Sequence, residues 1–335
     1  MHVVLDVIGA VVITAAILTC SIALWSLAPR AKRIRQRPAQ EVSMKGVLAI
    51  TGMVCAAVIT TGAIVGLQER VQAAPFDTHA VSVAGPVRPL DNNASAGRVV
   101  FTFDDGPDAY TPALLTEMKK MHLRGVFFVF GWKVAAHPAI VRAELAAGDR
   151  IENHTWDHPS FTGASTDTPP LTDAKIKAEL EATQKAIVAA GGPLPTLYRP
   201  PFGDITAADN ALAAKLGLRI VQPFSVLPRG NIVDSRDWTG ISAQQIVRDV
   251  TRGYNAKVDG RTIHMAGIRG GSVIGFHDSA PGSCSKPSEL CSYVVNTIRS
   301  LPGIVAYMNA HHLGVTVIVP PNTTGGIVPN IPVSR

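Results

Sequence analysis

Apolar residues follow two different patterns along this chain. Near the N-terminus they run on almost unbroken. Val3–Leu27 carries one charge, Asp6, and Val47–Leu67 carries none. Each run is long enough to cross a hydrocarbon core of about 30 Å as a helix. Between them lie Arg30, Lys32, Arg33, Arg35 and Arg37, and short loops rich in Lys and Arg stay in the cytoplasm. The pattern predicts a transmembrane helical hairpin over residues 1–67, with both its ends on the far side of the membrane. A second reading makes Val47–Leu67 the core of a secretory signal peptide, with Val71-Gln72-Ala73 as the small-residue cleavage position. Either way, the rest of the chain is exported: held at the cell membrane with its domain outside, or secreted.

Residues 68–98 show no sustained periodicity, contain Pro, Gly, Asn and Ser, and read as a linker. From 99 to 319 apolar positions alternate between strand-like and helix-like spacing. Strands are expected at Val99–Phe103, Gly125–Phe130, Arg150–Asn153, Thr196–Arg199, Leu218–Gln222, Ser272–Phe276 and Val315–Val319. Helices are expected after Thr111, with Pro112 in the first turn, at Pro138–Ala147, at Thr172–Ala190, at Ala207–Leu216, and from Ser242 with Ile246, Val247 and Val250 on one face. Strands alternating with helices predict an α/β domain, a closed or nearly closed barrel of about seven parallel strands with its active residues on the C-terminal rim. Gly253–Gly270, with Arg261 and His264 as solvated residues, reads as an extra loop. Residues 320–335 read as an irregular tail.

Composition sharpens the topology. The 335 residues are 47% hydrophobic and the mean hydropathy is +0.21, an excess concentrated in the two N-terminal runs. The net charge is +6, yet residues 1–67 hold 6 basic and 2 acidic side chains, leaving 25 against 23 in the remainder. No basic stripe with interleaved aromatics exists, which argues against nucleic-acid binding. Cys20 and Cys55 lie in the apolar runs as packing residues. Cys284 and Cys291 lie in the exported part, where the oxidising compartment favours a disulfide between them. Nothing in the sequence sets an oligomeric state.

Two segments carry candidate chemistry. Phe101-Thr102-Phe103-Asp104-Asp105-Gly106-Pro107 places adjacent carboxylates at a strand end, where one can hold a cation and its neighbour act as a base; their repulsion calls for a positive partner. In His154-Thr155-Trp156-Asp157-His158, imidazoles at i and i+4 can share a metal from one side of a helical turn. With an upstream Asp they make a set of three protein ligands, which leaves coordination positions open.

Five segments in order then resemble the polysaccharide deacetylases of carbohydrate esterase family four, the NodB-homology domain: Thr102–Pro107, His154–His158, Arg199-Pro200-Pro201-Phe202-Gly203, Asp234-Ser235-Arg236-Asp237-Trp238 and Gly275-Phe276-His277. The resemblance spans about 99–319 and implies a distorted (β/α) barrel that removes acetyl groups from an N-acetylated polysaccharide, peptidoglycan or a chitin-like glycan, with a divalent metal, usually zinc. It implies that Asp104 is the catalytic base, that Asp105, His154 and His158 bind the metal, and that Arg199 holds Asp104. The main-chain N–H of Phe202 would stabilise the oxyanion, Asp237 would orient His277 as general acid, and Trp238 would wall the acetyl pocket. Two positions depart from the family: Phe202 stands where Tyr is usual, and Gly275 where Leu lines the methyl pocket, leaving a wider pocket unless a side chain such as Ile274 fills it. An O-acetyl esterase and a catalytically silent glycan-binding protein are the alternatives; the complete set Asp104, Asp105, His154, His158 and His277 argues against the silent one.

Overall fold

The computed structural model describes residues 90, 96–222, 231–258, 261–280 and 292–319, all within a unit spanning Pro75–Arg335. The expected hairpin over 1–67, the tail after 319, Cys284 and Cys291 lie outside the described residues. Among the described residues no helix is long and apolar enough to cross a membrane.

The first strand organises the sheet. β1 (Arg98–Asp104) is buried at every position after Arg98. Its alternation sorts side chains between two cores. Val99, Phe101 and Phe103 join the cluster that faces the helices, whereas Val100 packs with Val126, Phe128, Leu197, Val221 and Val273 on the inner side. Three parallel partners flank β1: β2 (Gly125–Val129), β9 (Val273–His277) and β10 (Gly314–Val315). β3 (Arg150–Asn153), β4 (Leu197–Tyr198) and β5 (Arg219–Ile220) continue one edge, and β6 (Ile232–Asp234) pairs with β9 on the other. Such a sheet, buried on both faces, is what parallel strands with helical crossovers require.

The parallel α/β architecture matches expectation, with differences in detail. The curled sheet has eight strands, and among the described residues no ladder joins β5 to β6, so the barrel is open there. The short β6 has too few residues to show a period. The expected strand at Val315–Val319 contributes only Gly314–Val315. Gly253–Gly270 is not a plain loop: β7 (Tyr254–Val258) and β8 (Arg261–Met265) form an antiparallel pair. Arg261 and His264 are exposed on it.

Helices cover the outside of the sheet. They are α1 (Thr111–Lys120), α2 (Gly131–Ala136), α3 (Pro138–Ala146), α4 (Asp173–Ala189), α5 (Ala207–Lys215), α6 (Ala243–Arg252) and α7 (Ser292–Ala310). Local chemistry sets their starts. Thr172 and Ser242 cap α4 and α6 by accepting a backbone N–H, and Thr206 with Asp209 forms a capping box on α5. Thr111 is the first helical residue rather than a cap, and its hydroxyl donates to Asp278 instead. Phe103 lies between Phe127 and Phe276 with ring centroids 5.0 and 5.7 Å away; burying each such ring contributes about 1.5–3 kcal/mol.

α3 also buries a carboxyl. Glu144 is fully buried, and neither oxygen meets a hydrogen-bond partner among the described residues. Burial raises its pKa well above the ordinary range, with Asp278 and Asp149 pushing the same way. The folded protein therefore holds Glu144 neutral while the unfolded chain ionises it. That contribution to stability is whole below the unfolded pKa and is lost as pH rises toward the folded one. Glu144→Gln should remove this loss, so urea midpoints of variant and parent should separate progressively, in the variant's favour, from pH 5 to pH 8. A separation that stays constant with pH would contradict a neutral Glu144.

Candidate active site

Strand alternation puts Thr102 and Asp104 on the inner face. There Arg199, which follows β4, reaches both: its Nη1 donates to Asp104 Oδ1 at 2.6 Å and to Thr102 Oγ1 at 2.9 Å. The guanidinium is fully buried, gives its Nε–H to the Val221 carbonyl at 3.1 Å, and lies 4.4 Å from the Phe128 ring centroid. A buried charge with this many partners is held in one geometry.

Regular alternation would turn Asp105 to the opposite face. Its φ of 76° breaks the strand and returns the side chain to the cleft. Oδ1 lies 3.5 Å from His154 Nε2 and 3.9 Å from His158 Nε2. It is buried with no hydrogen-bond partner among the described residues. His154 donates its Nδ1–H to the Arg199 carbonyl at 2.7 Å, which leaves the Nε2 lone pair facing Asp105, the ring-orienting contact common around metal-ligating histidines. Burial pushes His158 down to about 3, against the pull of Asp105, so it is neutral at pH 7. Burial alone would raise Asp105; the facing His154, with the neighbouring His158 and His277, outweighs it and holds the carboxyl below its ordinary range. One atom from each residue lies within 4.8 Å of the others. A carboxylate oxygen and two imidazole nitrogens, one carboxylate atom otherwise orphaned, are a donor set that fits a divalent cation.

The segment between the two histidines is not a helical turn, as their i, i+4 spacing suggested. It is a bend with left-handed backbone at Thr155 (φ 70°) and His158 (φ 67°). Five of the eight non-glycine residues with positive φ among those described fall in the five motifs: Asp105, Thr155, His158, Phe202 and Arg236. Each such conformation costs of order 1–3 kcal/mol and persists only where its surroundings hold it.

A second charged pair faces the first. The β1–β9 register places His277 opposite Asp104. His277 donates its Nδ1–H to Asp237 Oδ1 at 2.8 Å and its backbone N–H to Oδ2 at 2.8 Å. Burial lowers the imidazole pKa, but Asp237, then Asp105 and Asp104, overcome this and raise it to about 10. With its side chain 20% exposed at the cleft, His277 is a protonated acid at neutral pH. Phe202 and Trp238 are 41% and 40% exposed, apolar surfaces at motif turns. Phe202 packs against His158 of the triad, their ring centroids 4.4 Å apart. In its 3-10 turn the backbone bonds are made by Gly203 and Asp204, to Pro200 and Pro201. Ile274 does not fill the space beside Gly275. It packs with Phe276 on the helix side, because alternation points it away from the face shared by Gly275 and His277.

Several residues outside the proposed set hold this arrangement. Asp204 accepts the hydroxyls of Ser160 and Thr162, bracing the loop after His158 against the Phe202 turn. Glu179 Oε2 on α4 accepts the N–H groups of Trp156 at 3.0 Å and Asp157 at 3.3 Å. Lys133, fully buried on α2, donates to Ser279 Oγ and the Ala280 carbonyl at 2.7 Å each and lies 3.3 Å from Asp108, tying the loop after β1 to the loop after β9. Thr297 on α7 donates to Asp237 at 2.7 Å. None sits in a sequence pattern that marks it; only Asp204, next to Arg199–Gly203, lay close to one.

The family model for polysaccharide deacetylases matches residues 91–221. Chitin deacetylase 1 of Cryptococcus neoformans var. grubii is 34% identical over 167 residues, 47% of this chain and 34% of that protein. The peptidoglycan-N-acetylglucosamine deacetylase PgdA of Listeria monocytogenes is 32% identical over 182 residues, 54% of this chain and 32% of that protein. The chain thus spans about a third of the length of these two relatives. The solved family 4 carbohydrate esterase from Streptomyces lividans, in complex with acetate, is 31% identical, with a TM-score of 0.53; the similarity covers 69% of this chain and 97% of that one. A likeness that takes in nearly the whole of that esterase, on a site with this geometry, means that the chain belongs to the polysaccharide deacetylase family, the family 4 carbohydrate esterases.

Proposed function

We propose that this chain hydrolyses N-acetyl groups of an extracytoplasmic polysaccharide of the chitin or peptidoglycan type, with a divalent cation, zinc, held by Asp105, His154 and His158. The observation that carries the reading is one cleft holding two opposed charged pairs, Asp104–Arg199 and Asp237–His277, beside the triad. Amide hydrolysis needs a base for water, a stabiliser for the oxyanion and an acid for the leaving nitrogen. A cation in the triad supplies Lewis-acid polarisation of the carbonyl and acidifies water.

The chain's own residues supply the rest. Asp104, fixed by Arg199, accepts the proton of the attacking water. The main-chain N–H of Phe202 donates to the developing oxyanion. His277 gives its proton to the leaving nitrogen, and Asp237 keeps that proton on the ring until it is needed. The exposed faces of Phe202 and Trp238 offer apolar surface to a sugar. The absence of a side chain at Gly275, two residues from His277 on the same face, leaves room beside the acyl group. The N-terminal apolar runs hold the domain beside its glycan.

Three measurements test these roles. Metal content and acetate turnover, compared across Asp105→Asn, Asp104→Asn and His277→Ala, should split by role. Asp105→Asn should weaken metal binding, whereas the other two should keep the metal and lose rate, by about 10²–10⁴-fold for a positioned base or acid. Metal lost on Asp104→Asn but kept on Asp105→Asn would reverse the assignment, and acetate release without new free amines would identify an O-acetyl esterase. On a pH–rate profile, the alkaline limb should move to lower pH in Asp237→Asn, because a neutral amide no longer stabilises the imidazolium; an unmoved limb would remove His277 from the acid's role. Reporter fusions after residue 98 should be active only outside the cytoplasm, and activity inside would end the export reading.

A further inference from the structure

Asp237 is fully buried, and each of its oxygens accepts two hydrogen bonds. Oδ1 takes the Nδ1–H of His277 and the backbone N–H of Trp238, each at 2.8 Å. Oδ2 takes the backbone N–H of His277 at 2.8 Å and the hydroxyl of Thr297 at 2.7 Å. The first three donors belong to the same two motifs as Asp237 and His277. The fourth belongs to α7, which contributes to none. Thr297 is itself fully buried. Four residues earlier on α7, Tyr293 lays its ring edge-on to His277, centroids 6.1 Å apart, and donates its hydroxyl to the Ser279 carbonyl at 2.6 Å.

The ordinary role of a threonine inside a helix is to bond the carbonyl four residues back. Thr297 has that option in the Tyr293 carbonyl at 3.1 Å. A hydroxyl has one hydrogen to give. The carboxylate is nearer and charged, and such acceptors make bonds about twice as strong, so the hydrogen goes to Asp237. Without that hydroxyl, Oδ2 would keep, among the described residues, only the backbone N–H of His277. The terminal torsion of an Asp is broad, so without Thr297 a single backbone N–H would fix Oδ2.

We propose that Thr297 is a positioning residue for proton delivery: its hydroxyl locks the plane of the Asp237 carboxylate, so that Oδ1 stays on His277 Nδ1 and Nε2 stays aimed at the leaving nitrogen. The inference rests on the deacetylase reading above. In that reaction the water oxygen bonds to the acetyl carbon and one of its protons passes to Asp104. The carbon–nitrogen bond breaks, its electron pair goes to nitrogen, and nitrogen takes the proton from His277 Nε2. A free amine and acetic acid leave, and exchange with solvent returns Asp104 and His277 to their starting protonation. An amine must be protonated to leave; a nitrophenolate leaves without help. Thr297 therefore matters for amides and not for activated esters.

The test compares the full metal-loaded chain with Thr297→Val, nearly the same shape without the hydroxyl, and Thr297→Ser, which restores it. On an N-acetylated glycan, Thr297→Val should lose about tenfold in kcat, a part of what a positioned acid contributes, while KM is unchanged. On p-nitrophenyl acetate its kcat should equal that of the parent. Thr297→Ser should recover the amide activity. The His277 Nδ1–H proton resonance should shift in the Val variant and return in the Ser variant. An equal loss on amide and ester would make Thr297 merely structural, and full amide activity in Thr297→Val would refute the proposal. A parent chain that released no acetate from the glycan would overturn the deacetylase reading alone, and the resonance would then decide the contact by itself.

Discussion

Two consecutive, buried carboxylates are the constraint on which this structure depends. Asp104 and Asp105 cannot both stay ionised out of water unless each meets its own counter-charge. The fold answers with two solutions a few ångströms apart. Asp104 receives a guanidinium, buried beneath it and locked by Thr102 and the Val221 carbonyl. Asp105 has the protonated His277 as its charged neighbour and shares with two imidazoles, from a bend that follows β3, a donor set that fits a cation. Taking the partner from a buried charge costs about 3–5 kcal/mol. Arg199 is therefore as much a part of the fold as of the site.

The geometry follows from the central position of β1. With β2 on one side and β9 on the other, the strand brings residues from both ends of the domain to one rim. The single backbone reversal at Asp105 then lets neighbours in sequence do separate work. The concentration of left-handed backbone in the motifs has the same origin. Side chains from short bends reach a common point only when the backbone leaves its preferred wells, and the buried network around Asp204, Glu179 and Lys133 holds them there.

Much of this was legible in the sequence because it is local. Alternating strands and helices, Gly and Pro punctuation, and adjacent polar residues at strand ends gave the parallel α/β architecture and the segments that meet at the cleft. What was hidden is either short or distant. β6, of three residues, is too brief to show a period. α7, which carries Pro302 in its interior, was not among the expected helices. The i, i+4 histidines suggested a helical turn because spacing cannot reveal a positive φ at Thr155. Ile274 looked available to fill the place beside Gly275 until strand alternation put it in the outer core. Thr297 meets Asp237 only in three dimensions, sixty positions along the chain.

The order in which these parts occur along the chain has a consequence for a protein as it is being made. Asp104, Asp105, His154 and His158 emerge early, at the ends of β1 and β3, whereas the partner strand bearing His277 and the helix bearing Thr297 come late. β1 must wait for β9 across most of the domain, and pairing over such a distance is slow because loop closure precedes any reward. An incomplete chain thus carries ligands without a proton donor. The residues of the proposed metal site therefore precede the proposed proton donor along the chain, and the two face each other only when the C-terminal part of the domain closes against the first strand.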